Sequence, residues 1–170
     1  RSLSRVAAYG NARGDATLGG DVPRRVLGLL VSCNYFDVLE PTVIAGRAWT
    51  GAEAGVAPYS ALLNESLGVQ LFGSADGAVG RAVNVGPTEH HVVGVVADDR
   101  HFGIDETHGP ALYAPMAAVP FVPGRGRFAV RLEPGAGEDM PARLREAVWS
   151  VEPELPIPFG ILPVSQEEHA

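Results

Sequence analysis

Residues 81–98 read Arg81-Ala-Val-Asn-Val-Gly-Pro-Thr-Glu-His-His-Val-Val-Gly-Val-Val-Ala-Asp98. Arg81–Val85 and His91–Asp98 are two runs rich in β-branched residues. The Gly-Pro-Thr-Glu between them is a hairpin signal. Val92, Val93, Val95 and Val96 flank Gly94 without alternating with polar residues, which predicts a strand buried on both faces. A glycine in so crowded a strand leaves room for another backbone to approach.

The pattern extends in both directions. Upstream, Tyr59–Leu63 reads as a buried strand. Asn64 is suited to cap the helix that follows, with Glu65 in its first turn, Leu67 and Leu71 on its core face and Gly73 just past its end. Further upstream, Val22–Ser32 reads as a strand, with Ser32 placed to cap a short helix or turn containing Tyr35, Phe36 and Leu39. Downstream, Ala111–Ala114 and Arg127–Leu132 are expected strands. A helix follows, with Asp139 near its start, Pro141 in its first turn, and a stripe of Met140, Leu144, Ala147, Val148 and Val151. Pro153 and Pro156 end it, Ile157–Leu162 reads as a returning strand, and the polar stretch from Ser165 to Ala170 could begin another helix. Strands and helices mix without strict βαβ alternation, so the fold class is α+β. The segment Leu132–Leu162 has the strand–helix–strand order of half a ferredoxin-like unit.

The chain has 170 residues, 46% of them hydrophobic, 19% charged and 7% aromatic, which suits one domain or one domain with an inserted lobe. Its 13 positive residues are all Arg, and 20 acids bring the net charge to −7. Dispersed Arg in an acidic chain lacks the basic footprint that nucleic acid requires. The longest apolar run, Val26–Val31, is interrupted by Gly28 and falls well short of the roughly 20 residues of a membrane helix. The chain opens on Arg1 with no apolar leader, so an excised piece of a longer protein is expected, cut from between membrane helices or from a cytosolic protein. Cys33 is the only cysteine, which excludes an intrachain disulfide and leaves the redox compartment open. Its neighbours Ser32 and Asn34 supply nothing to activate the thiol.

Catalytic signals are sparse. Without Lys there is no Walker-type phosphate loop, the Gly124-Arg-Gly126 and Gly135-Ala-Gly137 dyads lack a third glycine, and no Gly-x-Ser-x-Gly elbow occurs. The one concentration of metal-ligating types is Asp98, Asp99, His101, Asp105, Glu106 and His108. It could serve a small metal-dependent hydrolase, or form a solvated loop whose acids cap turns. His90 and His91 alternate faces at a strand start and are expected at the surface. Tyr35, Phe36, Trp49, Tyr59, Phe72, Tyr113 and Trp149 are expected in the core or at its rim. Ala117–Pro123 reads as an exposed apolar loop, either a partner contact or a segment folded over a sheet edge.

The order of the short motifs carries more than any one of them. Val31-Ser-Cys-Asn-Tyr-Phe-Asp-Val-Leu39 is followed by Gly46-Arg47, Asn64-Glu65, Leu71-Phe72-Gly73 and Val79-Gly80-Arg81. Then come Val92-Val-Gly-Val-Val-Ala-Asp98, His101-Phe-Gly103, Pro110-Ala-Leu-Tyr-Ala-Pro115, Val130-Arg131-Leu132 and Glu152-Pro-Glu-Leu-Pro156. This series, from about Val22 to Pro163, resembles the extracytoplasmic domain of MacB/FtsX-type ABC transporter permeases. The sequence departs from the pattern at Glu40, where a Gly commonly follows the Phe-x-x-Leu motif.

The resemblance implies one periplasmic domain over residues 1–170. A porter-like strand–helix–strand lobe would be formed by both chain ends, residues 1–40 plus 118–165, and a β-rich lobe would be inserted over 41–117. It implies a further strand and helix ahead of Arg1. It also implies a non-catalytic part of a bacterial inner-membrane permease, without cofactor, metal or catalytic residues. The domain would couple an ATP-driven cycle to export or partner engagement on the periplasmic or extracellular side. The expected partners are the permease helices of the same chain, an ABC ATPase domain or subunit, a second permease copy and a periplasmic adaptor. The hydrolase built on the Asp98–His108 loop and a free-standing binding or adaptor domain are the competing readings.

Overall fold

A computed structural model describes residues 3–17, 24–85, 88–98, 109–118, 127–132 and 139–157. In chain order these form strand β1 (Leu3–Thr17), strand β2 (Arg24–Val31), helix α1 (Tyr35–Leu39), strand β3 (Val43–Gly46) and strand β4 (Tyr59–Asn64). Helices α2 (Glu65–Phe72) and α3 (Ala75–Ala78) follow, then β5 (Ala82–Val85), β6 (Thr88–Val96), β7 (Ala111–Pro115), β8 (Arg127–Leu132) and helix α4 (Met140–Val151). All eight strands belong to one mixed sheet in the order β2-β7-β4-β6-β5-β1-β8, with β3 alongside β6. Because β1 also pairs with β2, the order β1-β2-β7-β4-β6-β5 returns to β1 and closes. The β2–β7 and β4–β6 pairs are parallel and the others antiparallel. The expected α+β class is therefore observed.

The buried strands are mostly apolar because both faces of the sheet are covered. On one face, Val26 and Leu30, Ala61 and Leu63, and Leu112 and Ala114 pack with Val83, Val92 and Val95 against Leu67 of α2 and Ala78 of α3. On the other, Leu29, Val31, Leu62, Val96, Ala111 and Tyr113 pack against Tyr35, Phe36 and Val38 of α1 and against Trp49. Here Phe36 is the centre of an aromatic group, edge-on to Trp49 at 4.8 Å, to Tyr35 at 5.5 Å and to Tyr113 at 5.7 Å between centroids. Such pairs add to the gain from burial alone.

Strand β6 serves both faces by means of a bulge. Ala61 pairs with Val92 but the next residue, Leu62, pairs with Gly94, leaving Val93 as an extra residue on β6. The alternation shifts there, so Val92 and Val95 both reach the first face while Val96 turns to the second. The bulge is also where β5 ends and β3 begins along the same strand. Gly46, at φ 66°, leads into Arg47, whose N–H donates to the Val93 carbonyl at 3.0 Å. A Cβ on Gly94 would run into the Arg47 carbonyl oxygen and lie 2.9 Å from its backbone N and C. The close approach expected at Gly94 is thus made by the Gly46–Arg47 backbone.

Local signals explain several ends. Asn64 caps α2 with its side-chain oxygen accepting from Leu67 N–H at 3.1 Å, and Gly73 closes it at φ 81°. The buried Asn64 amide does more, accepting from Ala111 N–H at 2.8 Å and donating to the Gly109 carbonyl at 3.1 Å, which ties α2 to the start of β7. Other expectations need correction. Thr88 and Glu89 are already paired, with Val85 and Asn84, so the hairpin connection is shorter than Gly-Pro-Thr-Glu. The N-cap position of α1 is Asn34, not Ser32. The Ser32 hydroxyl is taken by β1, accepting from Ala8 N–H at 3.0 Å, and donates to the Asn34 side chain at 2.9 Å.

Helix α4 forms with Asp139 at its N-cap position and Pro141 in its first turn. Its apolar stripe is buried at Met140 but Val151 is 84% exposed. The expected returning strand shows no strand at Ile157, and its remainder, like the polar end from Ser165, lies outside the described residues.

Backbone geometry generates two predictions. Gly94→Ala should destabilise the chain by about 2–3 kcal/mol through overpacking against Arg47, whereas Gly51→Ala, with nothing within 4 Å of the added carbon, should change stability by less than about 0.5 kcal/mol; urea unfolding measures both. Glu40, with φ 50°, is the one non-glycine residue at positive φ among the described residues, and its carboxylate accepts from Arg131 at 3.0 Å. Both Glu40→Ala and Glu40→Gly lose that ion pair, but only the glycine variant relieves the left-handed backbone. Glu40→Gly should therefore be the more stable by about 1 kcal/mol, and equal midpoints for the two would sink that account.

Candidate functional site

The densest set of polar contacts between distant parts of the chain lies where α1 meets the ribbon formed by β1 and β8. Strand pairing sets Arg5 opposite Arg131, Val6 opposite Val130, Ala7 opposite Ala129 and Ala8 opposite Phe128. Directly opposed residues share a face, so Arg5, Arg131, Ala7 and Ala129 look one way and Val6, Val130, Ala8 and Phe128 the other. Ala7 and Ala129 join the α1 core. Phe128 is 66% exposed and Val6 46% exposed on the opposite side.

A five-residue helix leaves its last carbonyls without partners, and the ribbon supplies them. Arg131 donates from Nε to the Val38 carbonyl at 2.8 Å and from Nη1 to the Glu40 carboxylate at 3.0 Å. Arg5 donates to the Asp37 carbonyl at 2.8 Å and lies 3.9 Å from the other Glu40 oxygen. Cations at a helix C-terminus are favoured by the backbone dipoles. At the opposite end of α1, the Asn34 amide donates to the Val6 carbonyl at 2.9 Å and Ser32 N–H donates to the Ala8 carbonyl at 2.8 Å. The motif Val31-Ser-Cys-Asn-Tyr-Phe-Asp-Val-Leu39 is therefore a joint, with its apolar residues in the core and its polar ones on the ribbon. The joint binds and orients.

A second, smaller clasp orders the segment after β3. Arg47 grips Glu53 through two hydrogen bonds of 2.8 and 2.6 Å, and Glu53 also accepts from the Thr50 N–H and hydroxyl. Hydrogen bonds from Arg47, and then from Thr50, hold the Glu53 carboxyl down at about 2. Close by, the Trp49 ring N–H donates to the Cys33 carbonyl at 3.3 Å, and the Cys33 thiol is free.

Of the acid–histidine loop, only Asp98 lies among the described residues; 99–108 lie outside them. The Asp98 carboxylate accepts from the Ser66 N–H at 3.1 Å and from the Ser66 hydroxyl, at the start of α2. That is a structural use for an acid at a helix N-terminus. Among the described residues no group of three or more His, Cys, Asp or Glu could hold a metal ion. Of the Ala117–Pro123 loop, Ala117 and Ala118 complete a short 3-10 turn and 119–123 lie outside the described residues.

His90 and His91 do alternate, but their expected surface position is wrong for His90. His91 is half-buried with Nε2 3.7 Å from Glu89, whereas His90 is fully buried on the face of Val92. His90 is flanked by Tyr59 of β4 and Val83 of β5, and alternation alone does not tell which of two adjacent histidines turns inward. The aromatics divide as well: Tyr35, Phe36, Trp49 and Tyr113 are buried, while Trp149 is 44% exposed with its ring N–H donating to the Leu155 carbonyl at 3.1 Å. Burial pushes the Tyr35 and Tyr113 hydroxyls far above the usual tyrosine range.

No helix among the described residues is long and apolar enough to cross a membrane. No curated protein sequence matches the chain. Solved structures do. The periplasmic region of MacB from Actinobacillus actinomycetemcomitans superposes with a TM-score of 0.70 at 18% identity, covering 88% of this chain and 68% of that one. A domain of a putative permease protein from Porphyromonas gingivalis gives 0.62 at 17% identity over 89% and 70% of the two chains. The extracellular domain of the noncanonic ABC-type transporter YknZ from Gram-positive bacteria gives 0.60 at 16% identity over 86% and 76%. At those identities the likeness speaks for the fold. The family model of the MacB-like periplasmic core domain matches residues 1–147, most of the sequence, and the chain belongs to that family.

Proposed function

We propose that this domain is the non-catalytic extracytoplasmic part of an ABC transporter permease, coupling an ATP-driven cycle to export or to engagement of a partner outside the bacterial inner membrane. The observation that carries this reading is the α1 joint. The β1–β8 ribbon is fastened to α1 by a buried apolar contact and by Arg5, Asn34 and Arg131, and β1 itself continues into the closed sheet, so displacement of the ribbon is passed to α1 and to the sheet together. Residues 1–40 plus 118–165 then act as one lobe and 41–117 as a second, joined through the β2–β7 and β1–β5 pairings. Permease helices of the same chain deliver the movement. ATP hydrolysis belongs to a separate nucleotide-binding domain or subunit, and a second permease copy and a periplasmic adaptor are the further partners. Discrimination of cargo rests on different affinities in two states of the permease, not on bond chemistry. The 117–123 segment or the surface of the 41–117 lobe is the proposed contact with cargo or partner.

The joint can be weakened without unfolding the domain, since partly exposed ion pairs contribute only about 0–1 kcal/mol each. In the full-length permease with its ATPase, the double variant Arg5→Ala, Arg131→Ala should lower complementation of a deletion strain by about fivefold or more. ATP hydrolysis should stay within about twofold of wild type and the melting temperature of the domain within about 5 °C. Complementation at the wild-type level would refute a coupling role for the joint.

A further inference from the structure

Strand β5 makes one of the two narrow links in the strand ring, the other being β4 with β7. It has four residues, and only the two pairs Ala16↔Val85 and Thr17↔Asn84 connect it to β1. On its other side Val83 pairs with His90 of β6, which in turn pairs with Tyr59 of β4. His90 is fully buried, and its Nε2 is the one buried side-chain nitrogen or oxygen without a hydrogen-bond partner among the described residues. Its Nδ1 lies 3.1 Å from the Thr88 carbonyl oxygen. A carbonyl only accepts, so Nδ1 carries the hydrogen and Nε2 presents a bare lone pair.

Among the described residues of β4, β5 and β6, nothing is placed to hold a second proton. From β4 the nearest group is the Tyr59 ring, with centroids 5.6 Å apart. From β5 the residues alongside are Ala82, Val83 and Asn84, none of them charged. On β6 itself, Glu89 and His91 flank His90 but point to the opposite face, 3.7 Å from one another. Protonated Nε2 would therefore be a buried cation without a counter-charge, which is costly. Burial, with a smaller contribution from His91, lowers the His90 pKa from the ordinary value, while the Thr88 carbonyl opposes the shift.

We propose that His90 is an acid-sensitive latch on the strand ring: protonation at Nε2 requires the β5–β6 corner to open and so releases β5 from β1. The sign follows from linkage. The open form takes up the proton near the ordinary histidine value and the closed form only at lower pH, so acid favours the open form. A domain of a periplasmic core family meets the pH of its surroundings directly, and the latch does not depend on what is transported. With an open-form pKa near 6.5 and a closed form that stays neutral, the opening constant at pH 5.0 exceeds that at pH 8.0 by at most about 30-fold.

Amide hydrogen exchange on the chain at pH 8.0 and 5.0, corrected for intrinsic rates, tests this. Opening constants for the Ala82–Val85 amides should rise by about 10- to 30-fold on acidification and should exceed those of Leu62 and Leu112 in β4 and β7 at both pH values, since core amides that open only with the whole fold share the same linkage but not the local opening. The variants His90→Asn and His90→Phe should abolish the rise, with His91 and Glu89 intact. Should neither variant fold, nitrogen NMR of the wild-type ring serves instead, and the expected result is a His90 midpoint below 6.5 together with β5 exchange that rises as the pH falls through about 6.5. Equal opening constants at the two pH values, an undiminished rise in a folded variant, or a ring that titrates at the ordinary value while β5 stays protected would each overturn the latch.

Discussion

The fold depends on the demand that β6 satisfy three neighbours at once. One edge carries β4 along most of its length; the other carries β5 and then β3. A regular strand could not change partners on that edge and still send valines to both faces in the required places. The extra residue at Val93 resolves the conflict by shifting the alternation, and Gly94 beside it admits the Gly46–Arg47 backbone where any side chain would collide. The two aliphatic layers, the position of Trp49 over α1 and the Arg47–Glu53 clasp all lie downstream of that crossing.

What the sequence made legible follows from how local each cause is. Ala61–Leu63, Val92–Val96 and Ala111–Pro115 are apolar on both faces, so composition alone marks them as strands. Asn64 and Gly73 were readable because a cap acts within one helical turn. Strand β1 was not. Gly10-Asn-Ala-Arg-Gly-Asp-Ala-Thr17 has small and polar residues with no alternation, and it becomes a strand by pairing with the apolar β2 and, at Ala16 and Thr17, with β5, a partner far along the chain. The joint was half legible. Its apolar residues announced a core, but the partners of its polar groups sit on β1 and β8, up to 93 residues away. Only the order of the motifs pointed to the family.

Ser32 and Glu40 show the same distinction on single residues. Ser32 is a reasonable cap by its neighbours, yet tertiary contact with Ala8 claims its hydroxyl. Glu40 occupies a left-handed position that glycine fits with less strain, yet its carboxylate completes the grip of Arg131 on the helix end. Local preference yields in both cases to a contact made across the fold.

Strand β1 has a mechanical consequence of its own. At about 3.3 Å per residue, its 15 residues make a continuous bar about 45–50 Å long. It is paired with β8 at one end and with β5 at the other, and with β2 from Tyr9 onward. A tilt of about 10° imposed at the ribbon would carry the far end through about 8 Å, more than the spacing between neighbouring strands.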